Sequence, residues 1–398
     1  MGDLHTTYSG KKSAIFKLAL VTGVLTLLSA GLYRFWMKTR LRRYYWSAVR
    51  PGGVPMEYIG DPWEKLLGFL FAVVILAFYI GVVNLLLMFF SFTFFSNNIV
   101  AYGLSFVGIL PLIFFAQYRA RRYVLARTRW RGIRFGLEPG AWGYTWRAAL
   151  YWLLTLVSAG ILWPLKAFKL EKYRIDRTFY GDQQMHQGGR WTMLLGAMKH
   201  VYIGGFASAA LILVGTILEK PELFAICIIS GGWLVFGLAY WRAHAFRRLT
   251  DTKTIGGVGL KSQARGGRVL GIYMGGYILT WLTVAAGMSV VLIVISIAFQ
   301  VNFFGEYFEL MNAIPSEAEG RANSVWVTTL IGLAVYFAGF LYWGAASHTF
   351  ITLPMARHFA ETLQVTNPTA LTNINQRARD EFSEAEGFAD ALDVGAAL

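Results

Sequence analysis

LLGFLFAVVILAFYIGVVNLLLMFFSFTFFSNNIVAYGLSFVGILPLIFFAQY, residues 66–118, lies between Lys65 and Arg119 without one charged side chain. One helix needs roughly 20 apolar residues to span about 30 Å of hydrocarbon, so this stretch suffices for two crossings. A turn falls near Ser96-Asn97-Asn98. Inside lipid every backbone polar group must be satisfied within the protein, which makes both crossings helical. Other uncharged stretches are 18–33, 148–165, 201–218, 223–241, 269–305 and 322–356. The chain therefore reads as an all-α, polytopic membrane protein with about eight hydrophobic helices. Three hairpins (66–118, 201–241 and 269–356) are joined by two short additional helices, over 14–37 and 148–165.

Composition agrees. The 398 residues are 56% hydrophobic and 15% charged, with a mean hydropathy of +0.47, where soluble domains carry about 25% charged residues. The net charge of +15 would suggest nucleic acid in a soluble protein. Here the basic residues sit at the ends of apolar runs, as in cytoplasmic loops of membrane proteins. Cys227 is the sole cysteine, which excludes an intramolecular disulfide and a cysteine-cluster metal site. The first apolar run shows no signal-peptide cleavage pattern.

Loop charges set an orientation. Lys and Arg outnumber acids by six to three in 38–65, eight to one in 119–147, seven to three in 166–199 and seven to one in 242–268. By contrast, 219–222 nets −1 and 306–321 nets −3. The positive-inside bias places the basic loops and both termini in the cytoplasm, with 96–99, 219–222 and 306–321 outside. Aromatic residues at helix ends (Trp63, Tyr118, Trp241, Tyr273, Trp326) fit interfacial belts.

A repeat marks where the helices leave the membrane. Arg42-Arg43-Tyr44, Arg121-Arg122-Tyr123, Glu171-Lys172-Tyr173, Arg247-Arg248-Leu249 and Arg357-His358-Phe359 are variants of one exit signature. Aromatic-glycine elements precede apolar runs at Tyr8-Ser9-Gly10, Tyr58-Ile59-Gly60, Phe135-Gly136 and Tyr180-Gly181. Leu-x-Ser-Ala-Gly occurs at both 27–31 and 156–160. An internal duplication follows: a short helix plus a hairpin over 1–122, the same over 123–248, a degenerate hairpin unit over 249–365, and an acidic, mobile cytoplasmic tail over 366–398. The repeat raises a parity problem. If all five basic exits face one side, the two short segments cannot each cross once. Helices broken at Ser29-Ala30-Gly31 and Ser158-Ala159-Gly160, re-entrant or interfacial, resolve it. The alternative is eight ordinary spans with one basic loop outside.

These residues resemble a known family. Gly31-Leu32-Tyr33-Arg34-Phe35-Trp36, Arg42-Arg43-Tyr44, Glu57-Tyr58-Ile59-Gly60 and Lys65-Leu66-Leu67-Gly68-Phe69 are similar to the YjgN family of bacterial inner-membrane proteins. So are Arg134-Phe135-Gly136-Leu137-Glu138-Pro139-Gly140, Lys172-Tyr173-Arg174 and Tyr180-Gly181. The resemblance covers residues 8 to 365 or so, and departs at the acidic tail and the degenerate third unit. It implies a bacterial inner membrane and a multi-span helical fold. Being a domain of unknown function, the family supplies no catalytic residues.

Several features carry chemistry. Arg42, Arg43, Arg121, Arg122, Arg247 and Arg248 beside aromatic rings suit anionic lipid head groups, although topology determination alone also accounts for them. No nucleic-acid role is expected. His348, Asn84 and Gln117 are the polar residues singled out within apolar runs, as relay or contact groups or as interhelical hydrogen-bond partners. Gly204-Gly205, Gly231-Gly232 and Gly275-Gly276 suit close helix packing, whereas Gly256-Gly257 and Gly266-Gly267 read as flexible linkers. No nucleophile triad, cofactor motif or histidine pair at metal spacing is present, so no enzyme is expected. A transporter or permease, with a path between repeats, is the leading expectation. A membrane scaffold binding anionic lipid or a partner through its basic face is the alternative.

Overall fold

A computed structural model describes residues 2–94, 98–299 and 322–378. Most of them are helical, as the apolar runs require, but ten short strands lie between the helices. In chain order the elements are β1 (Leu4–Tyr8), α1 (Lys12–Leu28), α2 (Arg34–Ala48), β2 (Val49–Pro51), β3 (Met56–Tyr58), α3 (Pro62–Phe94) and α4 (Asn98–Ala126). There follow β4 (Thr128–Trp130), β5 (Ile133–Leu137), α5 (Ala141–Val157), α6 (Trp163–Ile175), β6 (Thr178–Tyr180) and β7 (Gln183–Gln187). The rest are α7 (Leu195–Ile217), α8 (Glu222–Thr250), β8 (Lys253–Ile255), β9 (Val258–Ser262), α9 (Gly266–Phe299), α10 (Ala322–Ser347), α11 (Leu353–Glu361) and β10 (Leu363–Thr366). The chain forms two compact units. One takes the described parts of Met1–Gly10, Lys38–Leu270 and Ala356–Leu398, the other those of Lys11–Met37 and Gly271–Met355.

The sheet belongs wholly to the first unit and corrects the all-α expectation. Its order is β2-β1-β10-β9-β8-β7-β6-β5-β4-β3, antiparallel throughout. The two edge strands are consecutive in the chain and meet through a turn in which Gly53 N–H donates to the Arg50 carbonyl at 3.2 Å. Tight hairpins join β4 to β5 and β8 to β9. Their central residues Arg131-Gly132 (φ 52° and 78°) and Gly256-Gly257 (φ 50° and 88°) occupy the left-handed region that matches strand twist. Gly256-Gly257 is thus a hairpin turn and not a flexible linker, and Gly266 opens α9 with its Cα face against Tyr240.

Between hairpins the chain leaves the sheet five times and returns to the neighbouring strand. The registers Tyr8↔Val49, Tyr58↔Thr128, Leu137↔Thr178, Gln187↔Lys253 and Ser262↔Leu363 close these excursions. Because all neighbours are antiparallel, every excursion departs from and returns to the same end of the sheet. Inward-facing Trp130, Tyr180, Met185, Ile255, Val258 and Val365 form its apolar core. Leu371 and Ile374, beyond β10, complete that core. The segment is pinned across the hairpin turns: Asn367 Nδ2 donates to the Gly257 carbonyl at 3.0 Å, Asp182 N–H to Asn375 O at 2.9 Å, and Arg134 N–H to Gln376 Oε1 at 3.0 Å. The first part of the acidic tail is therefore seated on the sheet, and residues 379–398 lie outside the described residues.

Pro62–Phe94, Trp191–Ile217, Glu222–Thr250 and Gly266–Ile295 are, among the described residues, the helices long and apolar enough to cross a membrane. Their large side chains point outward, with Phe71, Phe78 and Leu85 of α3 each more than 70% exposed, as a lipid-facing surface requires. In the first unit, α7 and α8 pack closely because Gly204 meets the backbone of Leu234 and Gly237 that of His200 and Val201. Ser208 Oγ donates to Ser230 Oγ at 2.8 Å across the same hairpin. Gly231 and Gly232, expected at a packing contact, face open space. In the second unit Gly276 approaches the Phe350 carbonyl, while Phe16 of α1 meets Tyr342 of α10 edge-on at 5.5 Å.

The two short excursions break identically. Ala30 and Gly31 have φ of 50° and 91°, and Ala159 and Gly160 have 49° and 87°. Gly31 N–H donates to Thr26 O and Gly160 N–H to Thr155 O, each at 2.8 Å, the six-to-one bond of a left-handed helix C-terminus. Ser29 Oγ then accepts from Tyr33 N–H at 2.8 Å, and Ser158 Oγ from Leu162 N–H at 3.1 Å, so each serine caps the returning helix. Lys166, just past the second break, is held between the Trp152 and Trp163 rings at 3.3 and 3.4 Å.

Candidate functional site

The basic exits do not form one surface. Consecutive residues on a helix point about 100° apart, and at the end of α4 this separates Arg121 from Arg122. Arg122 lines an open cavity of about 500 Å³ and Arg121 does not, although the Nε of both is enclosed.

The cavity is built on the outer face of β4–β6. Side chains alternate along a strand, so Trp130 and Tyr180 enter the core while Arg129, Arg134 and Phe179 turn outward. The register sets Glu57, Arg129 and Arg134 side by side on successive strands, and Gly136 beside Phe179. From α4 comes Arg122, from just past its end Arg127, from just past β5 Glu138 and Pro139, and from the pinned C-terminal segment Arg377. Arg377 stacks on Phe179 at 4.5 Å. Five arginines thus face two carboxylates, Glu64 and Glu138. One of those acids is occupied: Arg127 pairs with Glu64 at 2.8 Å while lying 4.3 Å over the Tyr123 ring, and the Tyr123 hydroxyl donates to the same carboxylate at 3.1 Å. The enclosed Nε of Arg129 has no hydrogen-bond partner among the described residues. Arginine presents a planar fork of donors that suits phosphate and carboxylate oxygens.

The other expected residues fall elsewhere. Arg42 is buried 5.8 Å from the Tyr58 ring, and Arg43 Nη2 donates to the Gly60 carbonyl at 2.9 Å. Arg247 and Arg248 are exposed on the last turn of α8, where Arg247 lies 3.8 Å from Asp251. Of the six arginines only Arg122 lines the cavity. Asn84 is half-buried on α3 and Gln117 exposed on α4, while His348 opens a π-helical turn, His348–Thr352, after α10. The cavity's Arg129 and Arg134 fall in a stretch that reads as a basic loop, although Thr128-Arg129-Trp130 and Ile133-Arg134-Phe135 flank a tight-turn Arg131-Gly132 in the alternation of a hairpin. Arg377 carried no local signal. Among the described residues no three His, Cys, Asp or Glu side chains lie together as metal ligands would.

Residues 3–391 match the family described as "Bacterial protein of unknown function (DUF898)". The chain belongs to this family. It is also 27% identical over 165 residues to a protein described as "Inner membrane protein YjgN" of Salmonella typhimurium, a match that spans 39% of each chain. No solved structure is similar to the chain. The cavity residues all lie within the span of the DUF898 match, and the YjgN likeness agrees with apolar helices of membrane length.

Proposed function

We propose that the chain is a multi-pass inner-membrane protein that binds phosphate-bearing anionic head groups at the arginine cavity on its cytoplasmic sheet, without a reaction of its own. The observation that carries this reading is the convergence of Arg122, Arg129, Arg134 and Arg377 from three elements and the C-terminal segment onto one cavity. In this reading the sheet and both termini are cytoplasmic, and 219–222 and 306–321 face outward; 306–321 lies outside the described residues. The two short units dip into the membrane and return, as excursions from one end of the sheet must. The matched breaks at 29–31 and 158–160 support a duplicated short helix plus hairpin.

The test uses the full chain in detergent. Arg129→Gln, Arg134→Gln and Arg377→Gln, alone and together, are compared with the wild type for retention of phosphatidylglycerol by native mass spectrometry. Each lost charge should weaken retention by about 1 kcal/mol. Equal retention by the triple variant would refute the reading.

A permease is the second reading. It is favoured by the two identically broken helices, since broken helices in repeated units line the path of many transporters. Uptake of labelled anions into proteoliposomes, abolished by helix-restoring changes at Gly31 and Gly160, would support it over simple binding.

A further inference from the structure

Away from the residues that line the cavity, α6 and β8 carry a second concentration of charge. Glu171 of α6 accepts from Lys253 of β8 at 2.8 Å and pairs with Arg174 at 2.7 Å. Its side chain is 14% exposed and that of Lys253 13%. Burial alone would raise the Glu171 carboxyl, but Lys253, Arg174 and Arg121 more than offset this and hold it well below the usual carboxylate range. The carboxylate is therefore ionised and already engaged. Arg121 is the third cation around it, yet it makes no ion pair with Glu171 within 4 Å. Arg121 Nε and Arg174 Nε are both enclosed and lack hydrogen-bond partners among the described residues. Tyr144, 4% exposed, brings its ring to 5.8 Å from the Arg174 guanidinium.

The charge does not balance. Three cations surround one carboxylate, leaving two positive charges on half-buried guanidinium groups whose Nε atoms are shut off from water. A buried lysine can relieve such an excess by losing its proton, but a guanidinium stays charged in proteins. An uncompensated buried charge costs far more than a paired one. What the cluster lacks is negative charge with acceptor capacity toward two guanidinium N–H groups. We propose that a small inorganic anion of chloride size occupies the space between Arg121 and Arg174, completing the cluster with Glu171 and Lys253. The donors left without partners are enclosed Nε atoms, which suits a monatomic ion better than a lipid head group. The site is thus separate from the arginine cavity and does not depend on the function proposed for it.

The full chain purified in detergent serves for the test. Its melting temperature is measured in sodium chloride and in sodium gluconate at equal ionic strength, and crystals are grown in sodium bromide for anomalous scattering. Selective binding to the folded state raises stability with the logarithm of ligand concentration. Chloride should therefore raise the melting temperature by a few degrees over gluconate, and a bromide peak should appear beside Arg121 and Arg174. Arg121→Gln should remove both effects. If that variant does not fold, wild type alone decides by the bromide peak. Arg129→Gln, in the outer cavity, should keep both. Water in place of bromide, or equal melting in the two salts, overturns the proposal and leaves Arg121 hydrated.

Discussion

Arg357 Nη2 donates to the carbonyl of Gly10 at 2.8 Å, tying the last exit signature to the turn that follows the first strand. Arg43 makes the same bond to Gly60 at 2.9 Å. In both places the guanidinium belongs to an exit helix and the carbonyl to the Tyr-x-Gly element one strand away. The tyrosine folds over its glycine: a Cβ on Gly10 would sit 2.6 Å from Tyr8 Cε1, and one on Gly60 2.7 Å from Tyr58 Cε1.

Gly10→Ala and Gly60→Ala should therefore each destabilise the folded chain by about 1–3 kcal/mol, the range of overpacking in a filled site. Gly53→Ala, where nothing crowds the new methyl, isolates the cost of positive φ alone. Thermal unfolding in detergent compares the three. A smaller effect at Gly10 than at Gly53 would show that the tyrosine yields.

At the helix breaks, Gly31→Val and Gly160→Val force a β-branched side chain to φ near +90°. Each should cost at least 1–2 kcal/mol or so, because the left-handed region clashes with Cβ. Ala30→Gly and Ala159→Gly remove an existing clash of this kind and should be neutral to stabilising, since glycine's own entropy offsets part of the gain. Equal effects at the paired positions are expected from the equal geometry, and circular dichroism melts would read them.

Glu171 gives an acid dependence of definite sign. Its folded carboxyl titrates below the ordinary value of 4.5, so its contribution is complete above that pH and is lost as pH falls below it. Glu171→Gln should lose about 3–5 kcal/mol at neutral pH by leaving its cationic partners unpaired, and its melting temperature should then fall less steeply on acidification than that of the wild type. Parallel slopes in both proteins would assign acid sensitivity to other groups.

Orientation is testable in cells. In a Cys227→Ser background, a cysteine at Lys220 should react with a membrane-impermeant maleimide added outside. One at Asp182, in the β6–β7 turn, should react only after lysis. The reverse pattern would invert the topology.

Sequence patterning made the apolar helices readable because burial in lipid demands long uncharged runs, and 66–118 resolves into α3 and α4. The breaks were readable too, since Ser-Ala-Gly supplies both a cap and a residue tolerant of positive φ. The sheet was not. Its strands are three to five residues long, too short for alternation to stand out, and their arginines imitate topology-setting loops. Arg122 was visible as an exit residue. Arg377 was not, because it reaches the cavity on a segment anchored to Arg134 across 242 positions of chain.

The pairing of Leu4 with Val365 has a consequence for biosynthesis. Strand β1 is made first, but its neighbour β10 exists only once nearly all the apolar helices have been translated. Throughout synthesis one side of β1 is an unsatisfied edge, the kind of surface that recruits stray strands and promotes aggregation. The helices must therefore be delivered to the bilayer while the sheet is still open. Any stalled or truncated product lacking residues 363–366 presents that edge permanently, which gives quality-control proteases a feature by which to tell finished molecules from unfinished ones.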